Sequence, residues 1–191
     1  PDAILFYRLG DFYEMFFEDA KLVSQELDLV LTGRSAGVEE KVPMCGVPFH
    51  AANSYIQRLV KKGYKVAICE QLEDPSSAKG LVDRGIVKII TPGTYMDATM
   101  DAKTSNYMAS CDISSFEITV IYCELSTGEL KYQTLQRSLV ALQKALLEQN
   151  VSELVCPMSM DKKWMSALEE METILISKHK KVSVDSQDIP L

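Results

Sequence analysis

Short apolar runs separated by glycine and proline residues dominate the first half of the chain. An apolar run at residues 4–9 predicts a buried strand, and the spacing from Tyr13 onward predicts an amphipathic helix. A second helix is predicted from Asn53 or Ser54, which would cap it, to a glycine end at Gly63. The remaining runs predict short strands at 29–32, 42–47, 64–71 and 86–91.

Strand patterning restarts at Asn106 and predicts a second α/β unit. The predicted elements are strands at 106–111, 117–125 and 129–134, a helix at 138–149, a strand at 153–156 and a helix at 161–172. Serine and glycine residues between the first three strands favour an antiparallel meander. Residues 95–105 lack periodicity and predict a linker. We therefore expect an α/β protein of two domains, at residues 1–104 and 105–191.

The composition is that of an ordinary globular protein, but its net negative charge bears on function. Of the 191 residues 47% are hydrophobic and 25% are charged, and the formal net charge is −7. Residues 1–104 hold 12 Lys and Arg against 15 Asp and Glu (−3), and residues 105–191 hold 8 against 12 (−4). Charge alone thus argues against DNA binding, which depends on neutralising phosphates. A DNA-binding role requires a local basic rim or phosphate contacts from outside this chain.

Several function classes lack their motifs in this sequence. The five cysteines are far apart with no Cys-x-x-Cys pair, and only two histidines occur, which argues against a zinc site or a catalytic triad. No phosphate-binding Gly-x4-Gly-Lys motif and no apolar run of about 20 residues is present. Free buried thiols and the absence of a signal peptide favour a reducing, cytoplasmic setting without membrane contact.

Four sequence blocks carry a specific family resemblance. They are ILFYRLGDFYEMFF at 4–17, PMCGVPFH at 43–50, AICEQ at 67–71 and TPGT at 91–94. In order and spacing they resemble the N-terminal part of the MutS family of bacterial DNA mismatch-repair proteins. The resemblance is close over residues 1–104 and looser over 105–191, and a start at Pro1 without Met suggests a fragment of a longer protein.

The resemblance implies a fold and a function for each half. Residues 1–104 would form a mixed-sheet α/β mismatch-recognition domain, and residues 105–191 a ribonuclease H-like α/β connector. The phenylalanine of the family's Phe-x-Glu motif wedges into a mispaired step from the minor groove, and its glutamate bonds the displaced base. Phe12 and Glu14 occupy these positions. Arg34, Met44, Lys79 and Arg84 would contact the minor groove or nearby phosphates.

The resemblance also implies partners. These are double-stranded DNA with mismatches or small insertion/deletion loops, a MutL-like protein, and a second subunit in the family's homodimer. ATP and Mg belong to the family's ATPase domain, which this chain does not include. The chain itself is expected to hold no cofactor or metal, to catalyse nothing, and to bind DNA weakly.

The residues also allow less specific interpretations. Phe12, Phe16 and Ala20 are spaced four apart, so Phe12 could extend a helix's buried face. Glu14 could complement the dipole of that helix, with Asp11 as its cap. Two other functions remain open. Acids near strand ends in the second half suit a metal-dependent nuclease, namely Asp112, Glu124 and Glu153, and the negative charge suits a protein-interaction module.

Overall fold

The chain divides into two compact units, Pro1–Asp97 and Ala98–Leu191. The structure, a computed structural model, describes residues 2–35, 37, 41–73, 82–96 and 105–180. The boundary expected between residues 104 and 105, and most of the expected linker, lie at or within a stretch outside the described residues. Both stay predictions.

The first unit is a mixed sheet with two helices. Its described strands are β1 (Ile4–Leu9), β2 (Phe12–Phe16), β3 (Thr32–Arg34), β4 (Val42–Pro48), β5 (Val66–Gln71) and β6 (Arg84–Ile90), and its helices are α1 (Phe17–Leu27) and α2 (Ala52–Lys61). The strand order is β3-β4-β2-β1-β5-β6. Strands β1 and β5 run parallel, and the other neighbours pair antiparallel. Strand β2 therefore lies inside the sheet, between β1 and β4.

A continuous core holds this sheet to its helices. Phe6 and Met15 point from the sheet into that core, where they meet Val23 of α1 and Leu59 of α2, and all four are fully buried. Gly63 ends α2 with a φ of +88°, as the sequence predicts. The predicted side-chain cap of α2 is wrong, because the helix begins at Ala52 after a 3₁₀ turn and has no side-chain cap.

Two predicted elements of this unit are displaced. The helix predicted from Tyr13 begins only at Phe17, since Phe12–Phe16 is recruited as a strand between β1 and β4. Phe17 takes a left-handed φ of +54°, so the chain passes from strand to helix without a loop. The strand expected at 29–32 forms at Thr32–Arg34, where pairing with β4 begins.

The second unit is a mixed sheet built from a meander and two added strands. Its described elements are β7 (Tyr107–Ile113), β8 (Glu117–Glu124), β9 (Glu129–Gln136), α3 (Leu139–Glu148), β10 (Val151–Pro157), α4 (Lys162–Glu169) and β11 (Leu175–His179). The strand order is β11-β10-β7-β8-β9, with β10 parallel to both β7 and β11. This is the α/β arrangement expected for the connector. Strand β11 was not predicted, because its five residues add little apolar pattern to a polar tail.

Local sequence explains how the helices of this unit begin. The Ser138 hydroxyl accepts a hydrogen bond from the Ala141 amide, and the Asp161 carboxylate accepts one from the Lys163 amide. Leu142 and Leu146 of α3 and Leu168 of α4 are fully buried against the sheet.

The turn between β8 and β9 is capped by one carboxylate. Glu124, at the end of β8, accepts hydrogen bonds from the backbone and hydroxyl groups of both Ser126 and Thr127. These hydrogen bonds, from Thr127 first and then from Ser126, lower the pKa of the Glu124 carboxyl. Gly128, with a φ of +73°, completes the turn.

Two remaining observations concern the chain as a whole. All five cysteines lie in the described residues as free thiols, and only Cys123 is not fully buried. Among the described helices, none combines the length and the apolar character needed to cross a membrane.

Candidate nucleic-acid interface

The hairpin between β1 and β2 places Phe12 at an exposed tip. Leu9 pairs with Phe12, so the two strands are joined by Gly10 and Asp11 alone. Gly10 has a φ of +58°, which suits a two-residue hairpin turn with glycine in the first position. Phe12 follows the turn directly and leaves 46% of its surface exposed.

Strand alternation decides which side chains of β2 face outward. Tyr13 and Met15 point into the core, with exposed fractions of 7% and 0%. Phe12 and Glu14 therefore share the opposite face, two residues apart. The interpretation of Phe12 as part of a buried helical face is wrong, and so is the proposed capping role of Asp11, because no helix begins here.

The turn is fixed by two groups from outside it. The Phe49 amide donates a hydrogen bond of 2.9 Å to the Asp11 carbonyl. The Arg8 Nε donates one of 2.5 Å to the Gly10 carbonyl. The Arg8 guanidinium in turn lies 3.7 Å from the centre of the Phe49 ring. The backbone beneath Phe12 is thus held before any ligand arrives.

A partly buried polar cluster supports the same hairpin from the core side. The Tyr13 hydroxyl donates to the Glu70 carboxylate, which also lies 4.0 Å from an Arg8 nitrogen. Burial, followed by the Glu70 hydrogen bond, raises the pKa of Tyr13 to about 12. Tyr13 consequently keeps its proton, and so remains a hydrogen-bond donor, further into the basic range than an exposed tyrosine.

Glu14 is engaged with Arg34 across the sheet. The Arg34 guanidinium donates a hydrogen bond of 2.6 Å to the Glu14 carboxylate, from β3 to β2 with β4 between them. Gly46 of β4 lies directly opposite Glu14. A Cβ atom at Gly46 would lie 3.3 Å from the Tyr13 carbonyl oxygen and 3.6 Å from the Glu14 Cγ. The glycine therefore avoids a close approach to the Tyr13 carbonyl, and the Glu14 side chain packs beside it.

The other predicted contact residues are placed differently. Met44 is half-buried on β4, opposite Phe16 and therefore on the same sheet face as Phe12. The Arg84 guanidinium donates to the carbonyls of Arg8 and Val82, at 3.0 and 2.9 Å, so part of it supports the fold. Lys79 lies outside the described residues, and its DNA contact stays a prediction.

The sequence analysis missed Arg8, Phe49 and Gly46 as parts of this site. Arg8 is the one charge in the apolar run of β1, which is a usable signal for a buried arginine with specific partners. Phe49 and Gly46 carry no local signal, because their roles depend on pairing with a hairpin more than 30 residues earlier in the chain.

The acids of the nuclease alternative are not gathered into one site. Asp112 lies near the end of β7, whereas Glu124 pairs with Tyr107 at the start of that strand. Glu124 is occupied by its turn, and Glu153 is buried and accepts a 2.6 Å hydrogen bond from Ser177. Within the described residues, no group of three or more His, Cys, Asp or Glu side chains could hold a metal ion.

Comparisons with known proteins match most of this chain. A family model described as MutS domain I matches residues 1–99. The DNA mismatch repair protein MutS of Clostridium botulinum (strain Loch Maree / Type A3) is 52% identical over 162 residues, covering 80% of this chain and 17% of that protein. The protein of the same name from Clostridium tetani (strain Massachusetts / E88) is 49% identical over 179 residues, covering 92% and 20%.

These matches cover most of this chain but only a small part of each relative. The chain spans a fifth or less of the length of these curated relatives. Among solved structures, a chain of a simian T-cell lymphotropic virus intasome bound to PP2A regulatory subunit B56 gamma matches with a TM-score of 0.29 and 13% identity, covering 39% of this chain and 32% of that one. A TM-score this low carries no structural argument.

Proposed function

Because this chain belongs to the MutS family of DNA mismatch-repair proteins, we propose that its first unit recognises mispaired DNA through the face that bears Phe12 and Glu14. The DNA would be a duplex with a mismatch or a small insertion/deletion loop. Phe12 enters the mispaired step from the minor groove, and Glu14 bonds the edge of the displaced base.

The observation that carries this proposal is the exposed ring of Phe12 on a turn held from outside. Apolar wedges that enter the minor groove partly unstack a base step and kink the duplex. A mispaired step is easier to open than a paired one, so a ring there gains most at a mispair. The hydrogen bonds to the Gly10 and Asp11 carbonyls hold the backbone from which the ring projects.

Glu14 supplies discrimination in this scheme because it is repelled by phosphates. A fully paired base offers little edge to a carboxylate, whereas a displaced base offers a hydrogen-bond donor. Arg34 and Met44 lie on the same side of the sheet, and we propose that they, together with Arg84 and Lys79, contact the groove or the flanking phosphates. The −3 charge of residues 1–104 limits the number of such phosphate contacts.

We assign the second unit a connecting role. It would relay the DNA-bound state to an ATPase elsewhere in the longer protein and contribute to contact with a MutL-like partner. ATP, Mg and the homodimer contacts then belong to sequence outside this chain, which holds no cofactor and catalyses nothing itself. The setting would be the cytoplasm. The nuclease alternative has no assembled acid cluster among the described residues to support it.

The proposal is tested by removing the ring. Phe12→Ala, made in the natural protein that contains this chain, should lower affinity for a mispaired duplex by about 1–3 kcal/mol, the range for one aromatic–base stack. Affinity for the matched duplex should change little, so the preference disappears. Fluorescence anisotropy with both duplexes measures the two affinities, and thermal unfolding checks the fold.

Phe116→Ala is the matched control, since Phe116 is also exposed but lies in the second unit. That variant should keep the preference. An undiminished preference in Phe12→Ala, or a collapsed melting temperature, would contradict the wedge role. A natural protein that retains no DNA even at low salt would instead favour a protein-interaction module.

A further inference from the structure

The ion pair between Glu14 and Arg34 holds the carboxylate away from the wedge. Along β4, the residue opposite Phe12 is Pro48, and the residue opposite Glu14 is Gly46. Arg34 pairs with Val42, at the other end of the same strand. Along β4, Arg34 and Phe12 thus lie on opposite sides of Glu14. The ion pair therefore holds the Glu14 carboxylate away from Phe12.

The two partners differ in their access to solvent. The Glu14 side chain is 18% exposed, and the Arg34 side chain is 49% exposed at the edge of the sheet. A guanidinium has five N–H donors, so Arg34 can meet an incoming phosphate from its open side. Glu14 packs beside the backbone of Gly46, and its carboxylate is paired with Arg34, whose position in the register is farther from Phe12.

We propose that Arg34 is a positioning residue that holds Glu14 away from Phe12 in the free protein, contacts a DNA phosphate through its open side, and releases the carboxylate when a displaced base binds it. This inference rests on the proposed reading role of Glu14. On a matched duplex no base edge competes with Arg34 for Glu14. The ion pair therefore remains formed and neutralises a carboxylate that would otherwise repel the DNA. On a mispaired duplex Glu14 leaves Arg34 for the displaced base, while Arg34 keeps its phosphate contact.

This role predicts that Arg34→Gln weakens binding to both duplexes and yet increases the preference for mispaired DNA. Loss of the arginine removes a phosphate contact from both complexes, so both affinities fall. Without its partner, Glu14 repels a matched duplex but is freed for a displaced base. The preference for mispaired over matched DNA should therefore widen by about two- to fivefold, the worth of one exposed ion pair.

The experiment is a double-mutant cycle in the natural protein that contains this chain. Unaltered protein, Arg34→Gln, Glu14→Gln and the double variant are titrated with a matched duplex and with the duplex that the unaltered protein prefers among G·T, A·C and single-base loops. Glu14→Gln should bind matched DNA as well or better and so narrow the preference. In that background, Arg34→Gln should lower both affinities by the same factor.

The control is Arg58→Gln, since Arg58 forms an exposed ion pair with Asp28 on the helices rather than on this sheet face. It should leave the preference unchanged. Equal losses for both duplexes in the single Arg34→Gln variant would show a phosphate contact alone and overturn the proposal. A narrowed preference would also overturn it, because Arg34 would then hold Glu14 in its reading position.

Failure of this inference is separable from failure of the proposed function. If Phe12→Ala abolishes the preference while the cycle shows no coupling between Arg34 and Glu14, the proposed mismatch recognition is supported and the positioning role of Arg34 is refuted. If Phe12→Ala leaves the preference intact, the reading role of this face is wrong whatever the cycle shows.

Discussion

Two tight turns of this chain are stabilised in opposite ways. The turn at Gly10 and Asp11 accepts hydrogen bonds from the Arg8 guanidinium of the preceding strand and from the amide of Phe49, which lies far along the chain. The turn after β8 is held locally, by Glu124 at the end of that strand, which accepts hydrogen bonds from Ser126 and Thr127 within the turn. The first turn thus depends on one distant residue, Phe49, whereas the second is held by neighbouring residues alone.

The difference shows what each arrangement leaves free. A turn that caps itself uses its own polar side chains, so few of them are left to meet a ligand. A turn anchored from outside can present an apolar ring such as Phe12 without unfolding around it. The cost is dependence on residues outside the turn, so the first turn should be sensitive to changes at Arg8 and Phe49.

The largest expected effect comes from Arg8→Ala. This change removes a charge-assisted hydrogen bond to the Gly10 carbonyl and the stacking on Phe49. Together these contacts should be worth about 2–3 kcal/mol of unfolding free energy in the first unit. Mismatch preference should fall with Phe12 still present. Urea unfolding and duplex titration measure the two effects.

Arg137→Ala provides the matched control for Arg8. Arg137 likewise donates to a backbone carbonyl, that of Ser114, and lies 5.8 Å from the centre of the Trp164 ring. It lies in the second unit, so its loss should leave mismatch preference unchanged. Equal effects of the two variants on preference would break the contrast between the turns.

A smaller effect is expected from adding one methyl group to each turn. Gly10 and Gly128 both have positive φ, and no atom lies within 4 Å of a Cβ built at either position. Gly10→Ala and Gly128→Ala should each cost about 1–2 kcal/mol through backbone strain alone. Only Gly10→Ala should weaken mismatch preference. A loss of preference in both variants would mean that the effect reflects general destabilisation.

The same contrast explains what the sequence could predict. The meander of β7, β8 and β9 was predicted because alternation and turn residues are local signals. Strand β2 was not, because Tyr13, Phe16 and Ala20 fit a helical spacing equally well. Its pairing with β4, about 30 residues away, overrides that local preference.

The site was predictable only in part for a related reason. Phe12 and Glu14 were identified through a family resemblance, since their residue types alone favour a helix face and a helix dipole. The Glu14–Arg34 pair and the bare backbone at Gly46 depend on strand register across the sheet. No pattern within the separate segments contains that register.

Two further predictions concern the dependence of thermal stability on pH. Both effects are very small near pH 7 and appear only in strongly basic or acidic solution. Tyr13 has its pKa raised to about 12 from 10.0, mainly by burial and then by Glu70. Its contribution is complete below pH 10 and is lost as the pH rises from 10 toward 12. Tyr13→Phe should therefore show a smaller fall in melting temperature over that range, whereas Tyr132→Phe, at an exposed site, should follow the unaltered protein.

The second turn should be sensitive to acid instead. The pKa of Glu124 is lowered from 4.5 by the hydrogen bonds of its turn, so its contribution is present above about pH 4.5 and is lost as the pH falls below that value. Glu124→Gln should flatten the decline of thermal stability between about pH 5 and 3. An unchanged acid profile would show that the carboxylate does not stabilise this turn.

The alternation of β2 has a consequence for how this protein can change over generations. The odd- and even-numbered residues of β2 have different roles. Tyr13 and Met15 pack in the interior, whereas Phe12 and Glu14 face outward. Inserting or deleting one residue in the turn would exchange the two sets. Single substitutions here can alter one property at a time, but a change of length would lose both at once. A substitution in this segment therefore changes either the interior or the outward face, whereas a change of length changes both.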